Sequence, residues 1–265
     1  MATHTELRCL HLCSGYGGFE LGLRLAGIDA RTVAHVERDS YAAAALVARM
    51  EEAHLDPAPI WDDLTTFDSG AWRGRVDCIT AGFPCQPFSL AGSQRGIDDE
   101  RWLWPAIKRI VREVGPRFVF LENVPELVRG GLPFVLADLA DLGFDAEWGL
   151  HSAAEVGAPH KRERFWLLAD TDRPRPERPS GLAVTTTPKL ANATGSCGDT
   201  YGQWPPNREG DWPEYIAQGG PKPAIRRTTN GTPPELVESL HLGGNGLVPA
   251  VAAAAFVELL DRLSE

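Results

Sequence analysis

Apolar residues in the first two-thirds of the chain fall into short runs, separated by longer stretches in which they recur at helical spacing. The runs 7–12, 32–36, 76–81, 118–121, 145–150 and 165–169 read as strands. Between them, 19–26, 40–50, 102–114 and 133–142 read as helices. Ser40 is the expected N-cap of the second helix, and Pro105 suits a first turn, where its missing N–H costs nothing. Strands alternating with helices of this length predict an α/β domain with a parallel, doubly wound sheet. At Thr171 the pattern stops. As far as about Pro234 the chain is rich in Pro, Gly, Thr and Asn, a composition that also suits a disordered linker. Tyr201, Trp204, Trp212, Tyr215 and Ile216 argue instead for a small, loop-rich packed unit. Helical spacing returns over 248–263, and this alanine-rich helix is expected to dock back on the first domain. The expected organisation is therefore a main domain over 1–170, an inserted segment over 171–240, and a C-terminal portion over 241–265 that packs back.

Composition narrows the class. With 265 residues, 43% hydrophobic content and 8 tryptophans, the chain can bury a sizeable core. It has no apolar run long enough for a transmembrane helix, so no membrane association is expected. Residues 1–6 lack the basic start and apolar centre of a secretion signal. Cys9, Cys13, Cys78, Cys85 and Cys197 form an odd set without metal-type spacing, and no clustered histidines complete a zinc site. A reduced, cytoplasmic protein without a metal is the expectation. The net charge of −10 opposes nucleic-acid binding at first, because phosphate contacts need lysine and arginine. Its distribution softens that objection. Arg173, Arg175, Arg178, Lys189, Arg208, Lys222, Arg226 and Arg227 outnumber Asp172, Glu177, Asp199, Glu209, Asp211 and Glu214 within 171–227, so the negative excess lies elsewhere. Lys161-Arg162-Glu163-Arg164 lies just before this segment, and the pattern is compatible with a local DNA-facing surface.

The chemistry centres on Gly82-Phe83-Pro84-Cys85-Gln86-Pro87-Phe88-Ser89. Cys85 follows the apolar run 76–81, so it would project from the loop at a strand's C-terminal end, where open α/β sheets place their ligands. Pro84 and Pro87 stiffen the flanks and Gly82 permits a sharp exit. Taken alone, a free cysteine is as readily a small buried apolar residue. The first strand leads into Ser14-Gly15-Tyr16-Gly17-Gly18-Phe19, whose glycines let backbone N–H groups approach a ligand, although such a loop alone can be a mere tight turn. The second strand ends at Glu37, an acid placed to accept hydrogen bonds from ribose hydroxyls. Together these two features point to a nucleoside-bearing cofactor. Asp63, on the next loop, could accept from an adenine amine or a ligand ammonium; alone it reads as a solvated acid. The strand 118–121 delivers Glu122-Asn123-Val124 to the same edge as Cys85, and a glutamate ending a buried strand must be paired, protonated or functional. Arg162 and Arg164 precede the strand 165–169 and alone read as a solvated basic edge.

In this order the motifs resemble those of the DNA (cytosine-5)-methyltransferases. The resemblance covers the glycine loop of motif I (14–19), the motif II acid (Glu37), the Pro-Cys-Gln of motif IV (84–86), and the Glu-Asn-Val of motif VI (122–124). It continues with the Arg-x-Arg of motif VIII (Arg162, Arg164) and the Gly-Asn of motif X (Gly244-Asn245). It extends from Leu10 to about Phe256 apart from the insertion, and six motifs in sequence are far more specific than any one. It implies a doubly wound Rossmann-like methyltransferase sheet, with 1–170 as the catalytic and cofactor-binding domain and 171–240 as a small, loop-rich target-recognition insertion. The implied cofactor is S-adenosylmethionine, held by Ser14, Gly15, Tyr16, Gly17, Gly18 and Phe19, with Glu37, Arg38, Asp63, Pro84, Asn245 and Leu247 completing the site. The implied partner is double-stranded DNA, contacted by Gln86, Ser89 and Arg162. A restriction endonuclease is the companion the resemblance admits, and a monomer is expected.

The implied reaction is physically coherent. Cytosine is too electron-poor at carbon 5 to attack a methyl sulfonium, and addition of the Cys85 thiolate to carbon 6 makes the ring an enamine-like nucleophile. A free thiol is only a few per cent thiolate near neutrality, so the site must favour the anion or assist its formation. Glu122 would bond the ring's nitrogen 3 and amino group and push a proton onto the ring, which at neutral pH calls for a pKa raised by burial. Arg164 would contact the ring's carbonyl oxygen, and Asn123 would support the cysteine loop. The target carbon is unreachable inside a duplex, so the base must be flipped out. The stretch 88–101, with Gly92 and Gly96, resembles the family's mobile loop.

The chain departs from the family pattern at several points. His11 and Cys13 stand where motif I carries an acid and an aromatic, His160 replaces the usual motif VIII glutamine, and motif X has Gly246 where a small residue with a side chain is common. No clear motif IX is present, and the insertion is compact. None of these changes touches Cys85, Glu122 or Arg164, and the chain resembles small phage or prophage enzymes. Two alternatives remain at this point. One is a tRNA cytosine-5 methyltransferase on the same fold, whose Cys-Phe-Thr signature does not occur in this chain. The other is a DNA-binding relative that no longer catalyses, against which the intact trio speaks.

Overall fold

The computed structural model describes residues 6–84, 102–158, 160–171 and 246–265. In chain order these form β1 (Leu7–Leu12), α1 (Gly18–Leu25), β2 (Ala30–Val36), α2 (Ser40–Glu51), β3 (Ile60–Trp61), β4 (Cys78–Gly82) and α3 (Trp104–Val114). They continue with β5 (Phe118–Asn123), α4 (Leu127–Gly130), α5 (Leu132–Asp141), β6 (Asp145–Ser152), β7 (Glu163–Asp170) and α6 (Pro249–Leu263). Among the described residues the strands make one seven-stranded sheet in the order β3-β2-β1-β4-β5-β7-β6.

The central strands β1, β4 and β5 are apolar on both faces because both are covered, as a doubly wound sheet requires. On one face Leu10, Leu12, Ile79, Ala81, Val119 and Leu121 pack with Trp104, Ile107 and Ile110 of α3 and with Val135 and Leu139 of α5. On the other, Leu7, Cys9, Cys78, Phe118, Phe120, Trp166 and Leu168 pack with Phe19 and Leu23 of α1 and the alanine-rich face of α6. Small residues bring those two helices close together. A Cβ added at Gly22 would sit 2.6 Å from the Ala252 Cβ and 3.1 Å from the Pro249 carbonyl oxygen. The C-terminal helix thus returns to cover the sheet beside the first helix.

The sheet differs from the all-parallel expectation at one edge. Strands β1 to β5 pair in parallel, but β7 runs antiparallel to both β5 and β6. The cause is the connection: after β6 a 3₁₀ turn (Ala153–Val156) and a few more residues lead into β7, with no crossover helix to carry the chain back. This reversal has a functional consequence. It places the start of β7, with Arg164, at the same edge as the end of β5, with Glu122.

Smaller corrections follow from local chemistry. The cap of α2 is Asp39, whose extended backbone lets its side chain accept from the Ala42 amide at 2.8 Å; Ser40 is already helical. The third helix starts at Trp104 instead of residue 102, with Pro105 in its first turn. The two-residue β3 and the single-turn α4 were too short to leave a periodic signal. The insertion 171–240 lies outside the described residues except for Thr171.

Candidate active site

The carboxyl edge of the sheet collects most of the described candidate residues. Gly82 at the end of β4 pairs with Glu122 on β5, and Glu122 pairs with Trp166 on β7. Arg164 lies two residues before Trp166 and hence on the same face as Glu122. Its Nε is 3.2 Å from Glu122 Oε1. A Cβ on Gly82 would sit 3.4 Å from Glu122 Oε2 and 3.5 Å from the Phe19 ring, so the bare glycine leaves the carboxyl open on that side. Burial pushes the Glu122 carboxyl up to about 7 from 4.5, although Arg164 and Arg162 pull the other way. The short Arg164 contact alone would suggest an ionised pair. Burial outweighs it, because the side chain is only 13% exposed and removing a carboxylate from water costs more than one partly exposed arginine returns.

Asn123, 2% exposed, ties the end of β5 to the backbone just after β4. Its side-chain N–H donates to the Phe83 carbonyl at 3.1 Å, and its oxygen accepts from the Val124 amide at 2.9 Å. The backbone two residues before Cys85 is therefore tied to the strand that carries Glu122. Phe83 also meets Trp102 and Trp104, with ring centroids 5.7 and 6.4 Å apart. Residues on either side of 85–101 thus touch each other. Pro84 is exposed at the end of this support. Cys85, Gln86, Ser89 and the stretch 88–101 lie outside the described residues, as does Asn245.

At the ends of β1 and β2, Glu37 and the glycine loop are brought together. Glu37 accepts from the Gly15 amide at 2.7 Å and from the Asp39 amide at 2.8 Å, which fixes its carboxylate at the end of β2. Cys13, Gly15 and Gly17 all have positive φ (51°, 54° and 89°), so the chain turns tightly there and presents backbone, with strain at Cys13. Ser14 is buried, and its hydroxyl donates to the His11 carbonyl at 2.8 Å. Gly18 and Phe19 open α1, which has no side-chain N-cap bond. Phe19 packs edge-on against Phe120 and Trp166 and forms floor more than rim. Asp63 accepts from the Thr65 amide and hydroxyl at 2.8 and 2.7 Å through one oxygen, and these bonds hold its carboxyl below the usual range. Arg38 is exposed beside Glu37. Leu247 lies against Gly18, and its carbonyl accepts from the Tyr16 hydroxyl. An acid fixed at the end of β2, a tight glycine turn and a second acid beyond β3 fit a nucleoside with a charged amino-acid tail.

The departures in motif I resolve differently from each other. Cys13 is held up to about 12 by burial and by Glu37, so it stays a thiol and is no nucleophile. His11 points into the core. It is 2% exposed, with Nδ1 2.7 Å from Thr80 Oγ1 and Nε2 3.1 Å from Thr32 Oγ1. Burial and the neighbouring His35 hold it well below its usual value, so the ring is neutral. Thr32 donates to Glu20 at 2.6 Å, so it accepts from His11 Nε2–H, and Nδ1 accepts from Thr80. Glu20, 3% exposed, also accepts from the Asp56 amide at 2.7 Å and from Arg24 at 2.6 Å. An acidic group is thus supplied to this part of the core from α1. Sequence reasoning missed Glu20 and the threonines. The available signal was an acid beside Phe19 on the buried side of an amphipathic helix, together with threonines inside apolar strands. Arg49, also missed, stacks 5.2 Å from the Tyr16 ring centroid and donates to the Tyr16 carbonyl at 3.2 Å.

Comparison with known proteins finds relatives of the chain in sequence and in fold. A family model described as C-5 cytosine-specific DNA methylase matches residues 7–206. The chain is 34% identical over 226 residues to the type II methyltransferase M.PspPI of Psychrobacter sp. (strain TA137), covering 80% of this chain and 53% of that protein. It is 34% identical over 169 residues to the type II methyltransferase M.HhaI of Haemophilus parahaemolyticus, covering 62% of this chain and 49% of that protein. The chain therefore spans about half the length of the curated relatives it matches. Among solved structures, DNMT2 of Spodoptera frugiperda superposes with a TM-score of 0.53 at 21% identity, covering 66% of this chain and 54% of that one, which shows the shared fold. A putative DNA modification methyltransferase encoded within an Escherichia coli prophage superposes with a TM-score of 0.50 at 25% identity, covering 62% of this chain and 47% of that one.

Proposed function

The chain belongs to the C-5 cytosine-specific DNA methylase family, and we propose that it methylates carbon 5 of a flipped-out cytosine in double-stranded DNA through a Cys85 adduct at carbon 6. The observation that carries this reading is the Glu122 carboxyl at the strand end. It is raised to about 7, stands 3.2 Å from Arg164, and neighbours the strand that leads to Cys85.

S-adenosylmethionine, when bound, supplies the electrophilic methyl group. Glu37 and the Gly15–Gly18 turn would hold its nucleoside and amino-acid portions, with Asp63 at the adenine end. Asn123 fixes the Phe83 carbonyl and would thereby aim the loop that carries Cys85. The Cys85 sulfur bonds carbon 6 while Glu122 gives a proton to nitrogen 3, which makes carbon 5 nucleophilic. With a pKa about 7, Glu122 holds that proton in a large fraction of molecules at neutral pH. Arg164 orients the carboxyl and contacts the ring oxygen. After methyl transfer the carbon 5 proton passes to solvent, the carbon 5–carbon 6 double bond re-forms, Cys85 departs as thiolate and nitrogen 3 returns its proton to Glu122. Residues 171–240 are proposed to read the target sequence, with a monomer acting in the cytoplasm. A restriction endonuclease cutting the same sequence is the proposed companion. No helix among the described residues is long and apolar enough to cross a membrane.

Expression in a host without cytosine methylation, followed by bisulfite sequencing, tests the activity and reads the target together. Protected cytosines in a fixed context, absent with Cys85→Ala, are expected. A folded protein that binds S-adenosylmethionine yet protects no cytosine would overturn the proposal.

A further inference from the structure

Two side chains from opposite sides grip the backbone just before α6. From the glycine loop, the Tyr16 hydroxyl donates to the Leu247 carbonyl. From the turn before β7, Arg162 Nη2 donates to the Gly246 carbonyl. These partners lie 231 and 84 residues apart in sequence, so neither bond forms from local chain geometry. The approach is close because Gly18 has no side chain: a Cβ there would be 2.8 Å from Leu247 Cδ2 and 3.2 Å from its carbonyl oxygen. Tyr16 is itself braced, with Arg49 over its ring and on its carbonyl. Arg162 takes a left-handed backbone conformation (φ 32°), unfavourable for a residue with a Cβ, and the surrounding contacts hold it there. Only two residues on, Arg164 meets Glu122.

From this arrangement we infer that Tyr16 and Arg162 are positioning residues that latch residues 246–248 against the glycine loop and thereby slow cofactor release. The inference rests on the proposed function and adds a role for Arg162 distinct from contact with DNA. The latch joins the two halves of the site. One end is the loop beside Glu37, and the other is the strand that presents Arg164 to Glu122. Loosening either grip frees the same three residues, so the two contributions to cofactor retention are not independent.

The test measures S-adenosylhomocysteine binding to wild type, Tyr16→Phe, Arg162→Met and the double variant, by calorimetry and by stopped-flow release, alongside each protein's urea unfolding midpoint. Tyr16→Phe keeps the ring and its contact with Arg49 and removes only the hydroxyl. Loss of one such bond predicts a roughly three- to tenfold rise in dissociation constant, carried by faster release. Arg162→Met should act in the same direction, and the double variant should lose less than the product of the singles. Unchanged release in both singles overturns the inference, as does a fully multiplicative double variant. An unfolding midpoint that falls without any change in release shows a purely structural bond and also overturns it. Failure of wild type to bind S-adenosylhomocysteine at all would instead refute the proposed function.

Discussion

Replacing Glu122 by glutamine should stabilise the folded protein in a pH-dependent way while removing methyl transfer. The carboxyl is pushed up to about 7 in the folded state against 4.5 for an unperturbed glutamate, chiefly by burial. Between those two values the unfolded chain ionises while the folded protein keeps its proton, so wild-type stability falls as pH rises. The contribution is fully present below about 4.5 and is lost by the time pH has passed about 7. At roughly 1.4 kcal/mol per pH unit, the interval corresponds to about 3 kcal/mol. Glutamine has a similar shape and does not titrate, so the variant lacks this slope. Urea unfolding at pH 4, 5.5, 7 and 8.5 should show the difference, variant minus wild type, rising by about 3 kcal/mol across the series and levelling off above neutrality. A flat difference refutes the reasoning. A difference that falls with pH would mean that Arg164 holds Glu122 ionised, with a folded pKa below 4.5.

Two further outcomes follow from the packing and the cofactor side. Glu37→Ala removes both the acid at the end of β2 and the acceptor for the Gly15 amide, so S-adenosylmethionine binding should weaken at least about tenfold while DNA binding persists. An unchanged cofactor dissociation constant in calorimetry would contradict that role. Gly22→Ala places a methyl 2.6 Å from the Ala252 Cβ and should cost about 1–3 kcal/mol in urea unfolding, with partial recovery on adding Ala252→Gly. Absence of any recovery would mean that α1 and α6 are not in contact there.

The long elements were legible because a sheet covered on both faces needs continuous apolar strands, and helices beneath it need apolar stripes. The 118–121 run, for example, is the core of β5. The antiparallel β7 was not legible, since strand direction depends on the connection and leaves no trace in apolar periodicity. Cap position failed for a similar reason: Asp39 and Ser40 are both good caps, and backbone conformation alone decides between them. In the site, residue types at strand ends pointed to Glu37 and Glu122 because acids are costly there without a task. What spacing could not show was pairing across long sequence separations. Tyr16 with Leu247, Arg162 with Gly246, and Glu20 with His11 through Thr32 each depend on the fold being complete. His11 departs from the motif I pattern by residue type, and the alternation of β1 turns its side chain into the core beneath α1.

The central claim is that Cys85 attacks carbon 6 of cytosine, and trapping that bond tests it most directly. Purified protein is incubated with S-adenosylmethionine and duplex DNA carrying 5-fluorocytosine at the target position found by bisulfite sequencing, then run on a denaturing gel. Fluorine at carbon 5 cannot leave as a proton, so the reaction stalls with sulfur still bonded to the base. A denaturant-resistant protein–DNA adduct that maps to Cys85 and is absent in Cys85→Ala is the predicted result. No adduct from protein that binds both cofactor and DNA, or an adduct that persists in Cys85→Ala, would contradict the account.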